Sequence, residues 1–401
     1  MTSQFADYQN EIYLAALGGH LPQHPMDYAT LEAKATSALP ASLYSYIAGG
    51  AGDENTQRRN AEMFAAVGLT PRMLVGAVER DFSVELWGHR FPGGMFLAPV
   101  GVVGLVTGDG HGDIAVARAA AETGVPAMFS TLMQDPLEEV IPHAGNTPSL
   151  FQLYTPKDRD LAASLVHRAE AAGYQALAVT LDTWIPGWRP RDLALGNFPQ
   201  LRGRVLRNYT SDPVFRRMVG SDDPRAAVLT WVQTFGNALT WSDLDWLREL
   251  TTLPIVLKGI SHPDDARRAV DHGIDAVYCS NHGGRQANGG ISALETLPAV
   301  VEACGTVPVL FDSGVRSGTD AVKALGLGAT LVGIGRPYVY ALALGGVPAL
   351  VHQLRAMLAE ADLLLAVNGY PDIAAVRANT RWIDARQEGP GSSLVRRAGL
   401  R

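Results

Sequence analysis

A histidine and an arginine stand three residues apart in a glycine-flanked run, Ser280-Asn281-His282-Gly283-Gly284-Arg285-Gln286. An imidazole takes up a proton near neutral pH, and a guanidinium holds a carboxylate through paired N–H donors. The pair suggests a base beside an anion anchor, although spacing alone names no reaction. Two further runs, Asp312-Ser313-Gly314-Val315-Arg316 and Gly333-Ile334-Gly335-Arg336-Pro337, each end in or contain an arginine. Glycine lets the backbone approach a ligand closely, a helix N-terminus presents free N–H groups, and arginine adds a bidentate donor. One such turn would be no more than a tight strand-to-helix connection. Two on neighbouring strands predict a phosphate site.

The elements that must hold these runs are legible from about residue 95 onward. Short apolar stretches alternate with helical patterns, the signature of parallel βα units. Strands are expected at Met95–Pro99, Pro126–Ser130, Ser149–Leu153, Ala176–Thr180, Pro254–Lys258, Ala276–Cys279, Val307–Phe311 and Thr330–Gly333. Eight units favour a (β/α)8 TIM barrel, residues 95–370, over an open sheet. Gln152, Tyr154, Thr180, Asp182, Lys258, Ser280, His282, Arg285 and Asp312 all fall at or just past predicted strand C-termini, the end that carries catalysis in such barrels. Residues 1–94 read as helices followed by a β-hairpin around Phe82–Phe91, capping the barrel rather than forming a separate domain. The connection between the fourth and fifth strands is unusually long and rich in Gly, Pro and Asn, so Arg191–Ala238 is expected to be a loop that covers the site as a lid. Residues 371–401 are expected to form a C-terminal arm suited to subunit contacts.

Composition removes other classes. With a net charge of −7 and scattered Lys and Arg, there is no basic footprint for nucleic acid. A hydrophobic share of 47% with 18% charged residues suits a well-cored soluble chain. The segment Met1 to Asn10 lacks the apolar core of a signal peptide, and no apolar run reads as membrane-spanning, which together predict a cytoplasmic protein without a membrane partner. Cys279 and Cys304 are too few for a disulfide framework, and both read as structural. His89, His111, His143, His262 and His272 are dispersed, so no metal is expected.

The segments Val277–Glu295, Phe151-Gln152-Leu153-Tyr154, Thr180-Leu181-Asp182-Thr183, Leu257-Lys258-Gly259 and Phe311–Arg316 occur in order along most of the chain. Together they resemble the FMN-dependent L-2-hydroxy acid oxidases. Glu11-Ile12-Tyr13, the run Ser45–Glu54, Arg80–Gly88, Thr183–Asp192 and Tyr278–Gly290 resemble the lactate 2-monooxygenase branch of that family, whereas Asp212–Leu239 departs from it in being shorter. The resemblance implies FMN as cofactor and a small 2-hydroxy acid, L-lactate, and O2 as reactants, with decarboxylated acid, CO2 and water as products. A homotetramer or homo-octamer is implied as well.

Position by position, the resemblance makes His282 the base and Asp182 the carboxylate that supports its protonated form and raises its basicity. Arg189 and Arg285 would clamp the substrate carboxylate, Tyr46 and Tyr154 would bond its oxygens, and Lys258 would stabilise the reduced flavin. Pro99, Val100 and Gly101 match the backbone that runs past flavin N5. Ser130, Gln152, Thr180 and Ser280 match flavin-contacting positions, and Asp312, Ser313, Gly314, Val315, Arg316, Gly335 and Arg336 the rest of the cofactor site. Several relatives carry alanine where this chain has Gly101, so more room beside N5 is expected. A simple oxidase releasing 2-keto acid and H2O2, on a bulkier substrate, is the nearest alternative. A flavin-dependent isomerase would need no carboxylate clamp, and a silent ligand-binding barrel would be expected to lack His282 or Lys258.

Overall fold

A computed structural model describes residues 4–383. Eight parallel strands close into a barrel: β1 (Met95–Leu97), β2 (Ala127–Ser130), β3 (Ser149–Leu153), β4 (Leu177–Thr180), β5 (Ile255–Ile260), β6 (Ala276–Cys279), β7 (Val309–Phe311) and β8 (Leu331–Ile334). They lie in chain order around the barrel, and β8 pairs with β1 to close it. All eight expected strands are present, with ends moved by no more than about two residues, within ordinary boundary scatter. Their side chains are almost wholly buried because helices cover the outside and side chains fill the inside, so the runs read as continuously apolar until the catalytic end.

The barrel interior and the end opposite the catalytic mouth form one apolar cluster of Phe96, Met128, Leu150, Val256, Tyr278, Leu310 and Leu331, joined by Leu86 and Phe91. Those last two residues belong to the hairpin of Val84–Leu86 and His89–Phe91, which thus plugs that end. Four helices precede it: Asp7–Leu17, Tyr28–Ala38, Ala41–Ala48 and Asn55–Glu62. The third carries Tyr46 to the mouth. Of the expected C-terminal arm, the described part folds back, Thr380–Trp382 pairing antiparallel with Val67–Leu69; residues 384–401 lie outside the described residues.

Two expectations need correction. The connection expected as a loop over Arg191–Ala238 is a layer of short helices: Pro190–Ala194, Pro199–Arg202, Arg207–Thr210, Pro213–Val219 and Pro224–Thr234. Asp212 and Asp223 cap the last two, each followed by a proline at the first helical position, and Tyr209, Phe215 and Trp231 are buried within the layer. The second correction concerns apolar runs. The helix Arg336–Asn368 is by length and composition apolar enough to cross a membrane; 56% of its most apolar stretch is buried in the protein, and it is broken at Gly345 and Gly346. Its apolar character is explained by packing against the helices Gly112–Thr123 and Tyr28–Ala38.

Candidate active site

The two residues expected to act as one unit lie just past the ends of β4 and β6. Asp182 lies just past β4, and His282 opens a single helical turn after β6 in a left-handed conformation, φ 58°. Such a backbone is uncommon for a non-glycine residue and persists where surrounding contacts impose it. Here Ser280 Oγ accepts the His282 N–H at 3.1 Å, and His282 Nδ1 meets Asp182 Oδ1 at 3.0 Å. Thr183 donates to the same carboxylate oxygen at 2.8 Å. With Nδ1 engaged, Nε2 is the ring nitrogen left for chemistry, and His282 lines a cavity of about 1080 Å³ counted out to its open mouth.

The charges around this pair set its protonation. Burial opposes ionisation of Asp182, but His282, Lys258 and the hydrogen bonds from His282 and Thr183 outweigh it and hold the carboxyl well below its usual range. Burial is also the largest influence on His282 and pushes it down; Asp182 raises it, while Lys258 and Arg189 lower it further. Asp182 thus raises the imidazole's basicity as expected, but burial, Lys258 and Arg189 outweigh it and the net direction is downward. A histidine held below its ordinary value is neutral near pH 7, the form in which an imidazole can accept a proton. Gly259 makes the close approach possible. Its φ is 107°, at the point where β5 shifts register, and a Cβ there would meet Asp182 carbon atoms at 3.0 Å.

Two arginines line the same cavity as His282. Arg285 and Arg189 place their guanidinium carbons 5.0 and 5.8 Å from the centre of the Tyr46 ring. Arg189 donates to the Arg285 carbonyl at 3.0 Å and to Gln286 Oε1 at 2.6 Å, and Gln286 in turn donates to the Asp182 carbonyl at 2.8 Å. Arg285 donates to the carbonyls of Ile47 and Gly49. Burial first, then the neighbouring Arg189, pushes Arg285 down to about 9. Arginine does not lose its proton in proteins, so the direction marks a local excess of positive charge that an anion would relieve. Tyr154 lines this cavity against Phe235, ring centres 5.4 Å apart, and its hydroxyl is pushed far up by burial.

The rest of the predicted site divides into a lining and a layer behind it. Pro99, Val100, Gly101, Lys258, Asp312, Ser313, Gly314, Val315, Arg316, Gly335 and Arg336 line the cavity with His282, Arg189, Arg285, Tyr46 and Tyr154. Ser130, Gln152, Thr180, Ser280 and Asp182 are not among the lining residues. Barrel register explains why they still act together: Ser130 pairs with Gln152 and Thr180 with Lys258. Ser130 donates to Gln152 at 2.9 Å and Gln152 to Thr180 at 2.8 Å, while Lys258 Nζ reaches Ser280 Oγ at 3.2 Å and Ser280 donates to Asp312 at 2.5 Å.

At the expected phosphate site, backbone N–H groups stand free beside two arginines that line the cavity, Arg316 and Arg336. Among the described residues no protein acceptor takes the N–H of Gly314, Val315, Gly335 or Arg336. Gly314 is left-handed, φ 100°, and a Cβ there would sit 2.1 Å from the Asn60 carbonyl oxygen, so only glycine fits. The Arg336 guanidinium, expected as the phosphate donor, is spent on the carbonyls of Ile47, Ala48, Gly49 and Gly283 and on Gln57 Oε1. At Gly101 a methyl group would meet Leu132 Cβ at 3.1 Å and Ser130 Oγ at 3.5 Å, so Leu132 closely bounds the space that this glycine leaves. Sequence reasoning passed over Leu132, Phe198, Gln200, Trp231 and Phe235, which also line the cavity. The last four lie in or directly after the helical cover, where no motif announced them.

Comparison with known proteins agrees with this geometry. The family model described as FMN-dependent dehydrogenase matches residues 35–383. The chain is 38% identical over 358 residues to an L-lactate oxidase of Lysinibacillus sphaericus (strain C3-41), covering 89% of this chain and 92% of that protein. It is 40% identical over 351 residues to an FMN-dependent alpha-hydroxy acid dehydrogenase of Penicillium citrinum, covering 85% and 87%. A crystal structure of mandelate oxidase superposes with a TM-score of 0.77 at 33% identity, covering 89% of this chain and 99% of that one. The site's own features fit FMN: free backbone N–H groups at one end of the cavity suit a phosphate, and a buried lysine at the strand ends suits an electron-rich ring edge. The chain belongs to the family of FMN-dependent dehydrogenases and oxidases that act on L-2-hydroxy acids, and FMN is its cofactor.

Proposed function

We propose that this enzyme oxidises L-lactate with O2 and converts it to acetate, CO2 and water before the keto acid leaves. The observation that carries the reading is the placement of a neutral, carboxylate-supported histidine beside two arginines that flank one tyrosine ring. Arg189 and Arg285 bind the substrate carboxylate, Tyr46 donates to it, and Tyr154 orients the C2 hydroxyl. His282 then takes a proton from the substrate at Nε2, and Asp182 balances the imidazolium that results. FMN, when bound, supplies the two-electron acceptor for the substrate carbon and passes the electrons to oxygen. Lys258 holds positive charge at the strand ends, where the reduced cofactor needs it.

Product identity follows from retention. Pyruvate keeps the carboxylate that the arginines hold, within a cavity that Phe198, Gln200, Trp231 and Phe235 of the cover also line. Pyruvate and H2O2 held together give acetate, CO2 and water, with the peroxide O–O bond and the C1–C2 bond broken. A second reading, a simple oxidase of a bulkier acid, is favoured by that same aromatic wall. A hydroxy-acid panel under air decides between them, with catalase present so that escaped peroxide cannot decarboxylate pyruvate. Acetate as the main product from fast L-lactate turnover supports the first reading. Pyruvate as the main product, or faster turnover of mandelate-sized acids, overturns it in favour of the second.

A further inference from the structure

Gln200 lies in the short helix Pro199–Arg202 of the cover, is fully buried, and lines the cavity among Phe198, Trp231 and Phe235. Burying an amide in an aromatic wall is costly unless its hydrogen bonds are made. Its Nε2 donates to the Tyr46 hydroxyl oxygen at 3.3 Å, while its Oε1 is buried without a partner. Tyr46 is otherwise held through its ring, within 5.8 Å of both guanidinium carbons and edge-on to Phe198 at 6.3 Å. The ring is thereby fixed, and only the hydroxyl rotor remains to be set. Nearby, Asn197 donates to the Ser42 carbonyl at 2.9 Å, tying this part of the cover to the helix Ala41–Ala48 that carries Tyr46.

We propose that Gln200 is a positioning residue for substrate capture, which acts through Tyr46. A phenol has one proton to give and an oxygen that accepts. By donating to that oxygen, Gln200 occupies its accepting side and leaves the Tyr46 O–H to point at the substrate carboxylate. The cover thus contributes to recognition of the acid as well as to closure. This inference rests on the reading of Tyr46 as part of the carboxylate clamp. It distinguishes two substitutions. Gln200→Leu removes the donor and frees the rotor. Gln200→Glu supplies only acceptors, draws the Tyr46 proton away from the substrate and adds a charge that repels it.

The test measures anaerobic flavin reduction against L-lactate concentration in the holoenzyme, for Gln200→Leu, Gln200→Glu, Tyr46→Phe and the Tyr46→Phe/Gln200→Leu pair. Flavin absorbance and thermal midpoint report folding. Gln200→Leu is expected to raise the half-saturating lactate concentration about fivefold, the size of one ordinary hydrogen bond, with little change in limiting rate. Gln200→Glu is expected to raise it further. In the Tyr46→Phe background Gln200→Leu is expected to add nothing. An effect of Gln200→Leu equal in both backgrounds overturns the proposal, as does a silent Gln200→Leu beside an impaired Tyr46→Phe. If Tyr46→Phe is itself silent, the clamp reading beneath the proposal fails instead.

Discussion

The two ends of the barrel use the same strands for opposite purposes. At one end Phe96, Met128, Leu150 and Val256 meet the hairpin residues Leu86 and Phe91 in a sealed apolar cluster. Two residues further along each of three strands, Ser130, Gln152 and Lys258 begin the polar layer of the catalytic mouth. Side chains two apart on a strand share a face, so the inward face changes from apolar to polar within one step of the pleat. Apolar packing is concentrated at the plugged end, whereas Lys258, Arg189, Arg285, Arg316 and Arg336 line the mouth, with Asp312 the one carboxylate in that lining among the described residues. That imbalance is a cost without an anion and an affinity with one.

The largest expected effect lies at the plug. Phe96 is fully buried and edge-on to Tyr278 at 5.6 Å. Phe96→Ala should cost about 3–5 kcal/mol of stability, read as a lower denaturation midpoint, while molecules still folded reduce flavin at a near-normal rate. A comparable loss of rate in the folded molecules would erase the division between the ends. His282→Ala should do the converse. FMN stays bound and the midpoint changes little, but anaerobic flavin reduction slows about a hundredfold or more, as for loss of a general base. Near-normal reduction would remove His282 from the chemistry.

A smaller effect is expected where backbone and side chain share the phosphate. Arg336→Ala should weaken FMN by about 1.5–3 kcal/mol if its guanidinium turns from the carbonyls of the N-terminal segment to a bound phosphate. Unchanged FMN affinity in an intact fold would assign Arg336 solely to holding that segment. The smallest is a displacement in pH. His282 lies below its ordinary value because burial, Lys258 and Arg189 outweigh Asp182. Since the neutral form is the active base, flavin reduction should hold steady as pH falls through the ordinary histidine value of about 6.5 and decline only below it. An acidic limb above that value would contradict this balance of burial and charge.

How far the sequence reached follows from the same contrast. All eight strands were legible because buried parallel strands are apolar along their length and end on polar residues. Most of the lining was legible because its residues fall at those ends. The cover was legible from the length of its connection but its helices were not, although Asp212-Pro213 and Asp223-Pro224 are ordinary helix starts, because the surrounding Gly, Pro and Asn content read as loop. Gln200 had no signal at all: its partner Tyr46 is 154 positions away and only folding brings them together. The engagement of Arg336 by carbonyls of Ile47, Ala48 and Gly49 was hidden for the same reason. The direction of the His282 shift depended on depth of burial and on Lys258, neither of which spacing encodes.

On the proposed reading, the excess positive charge at the mouth selects a 2-hydroxy acid by its carboxylate and delivers it to His282. The most direct test mixes the holoenzyme anaerobically with L-lactate and, separately, with propane-1,2-diol, which keeps the secondary alcohol but replaces the carboxylate with an uncharged group, and follows flavin absorbance. Rapid bleaching by L-lactate is expected, and none by the diol at the same concentration. Equal bleaching by the two, or none by L-lactate or any other 2-hydroxy acid, would contradict the claim.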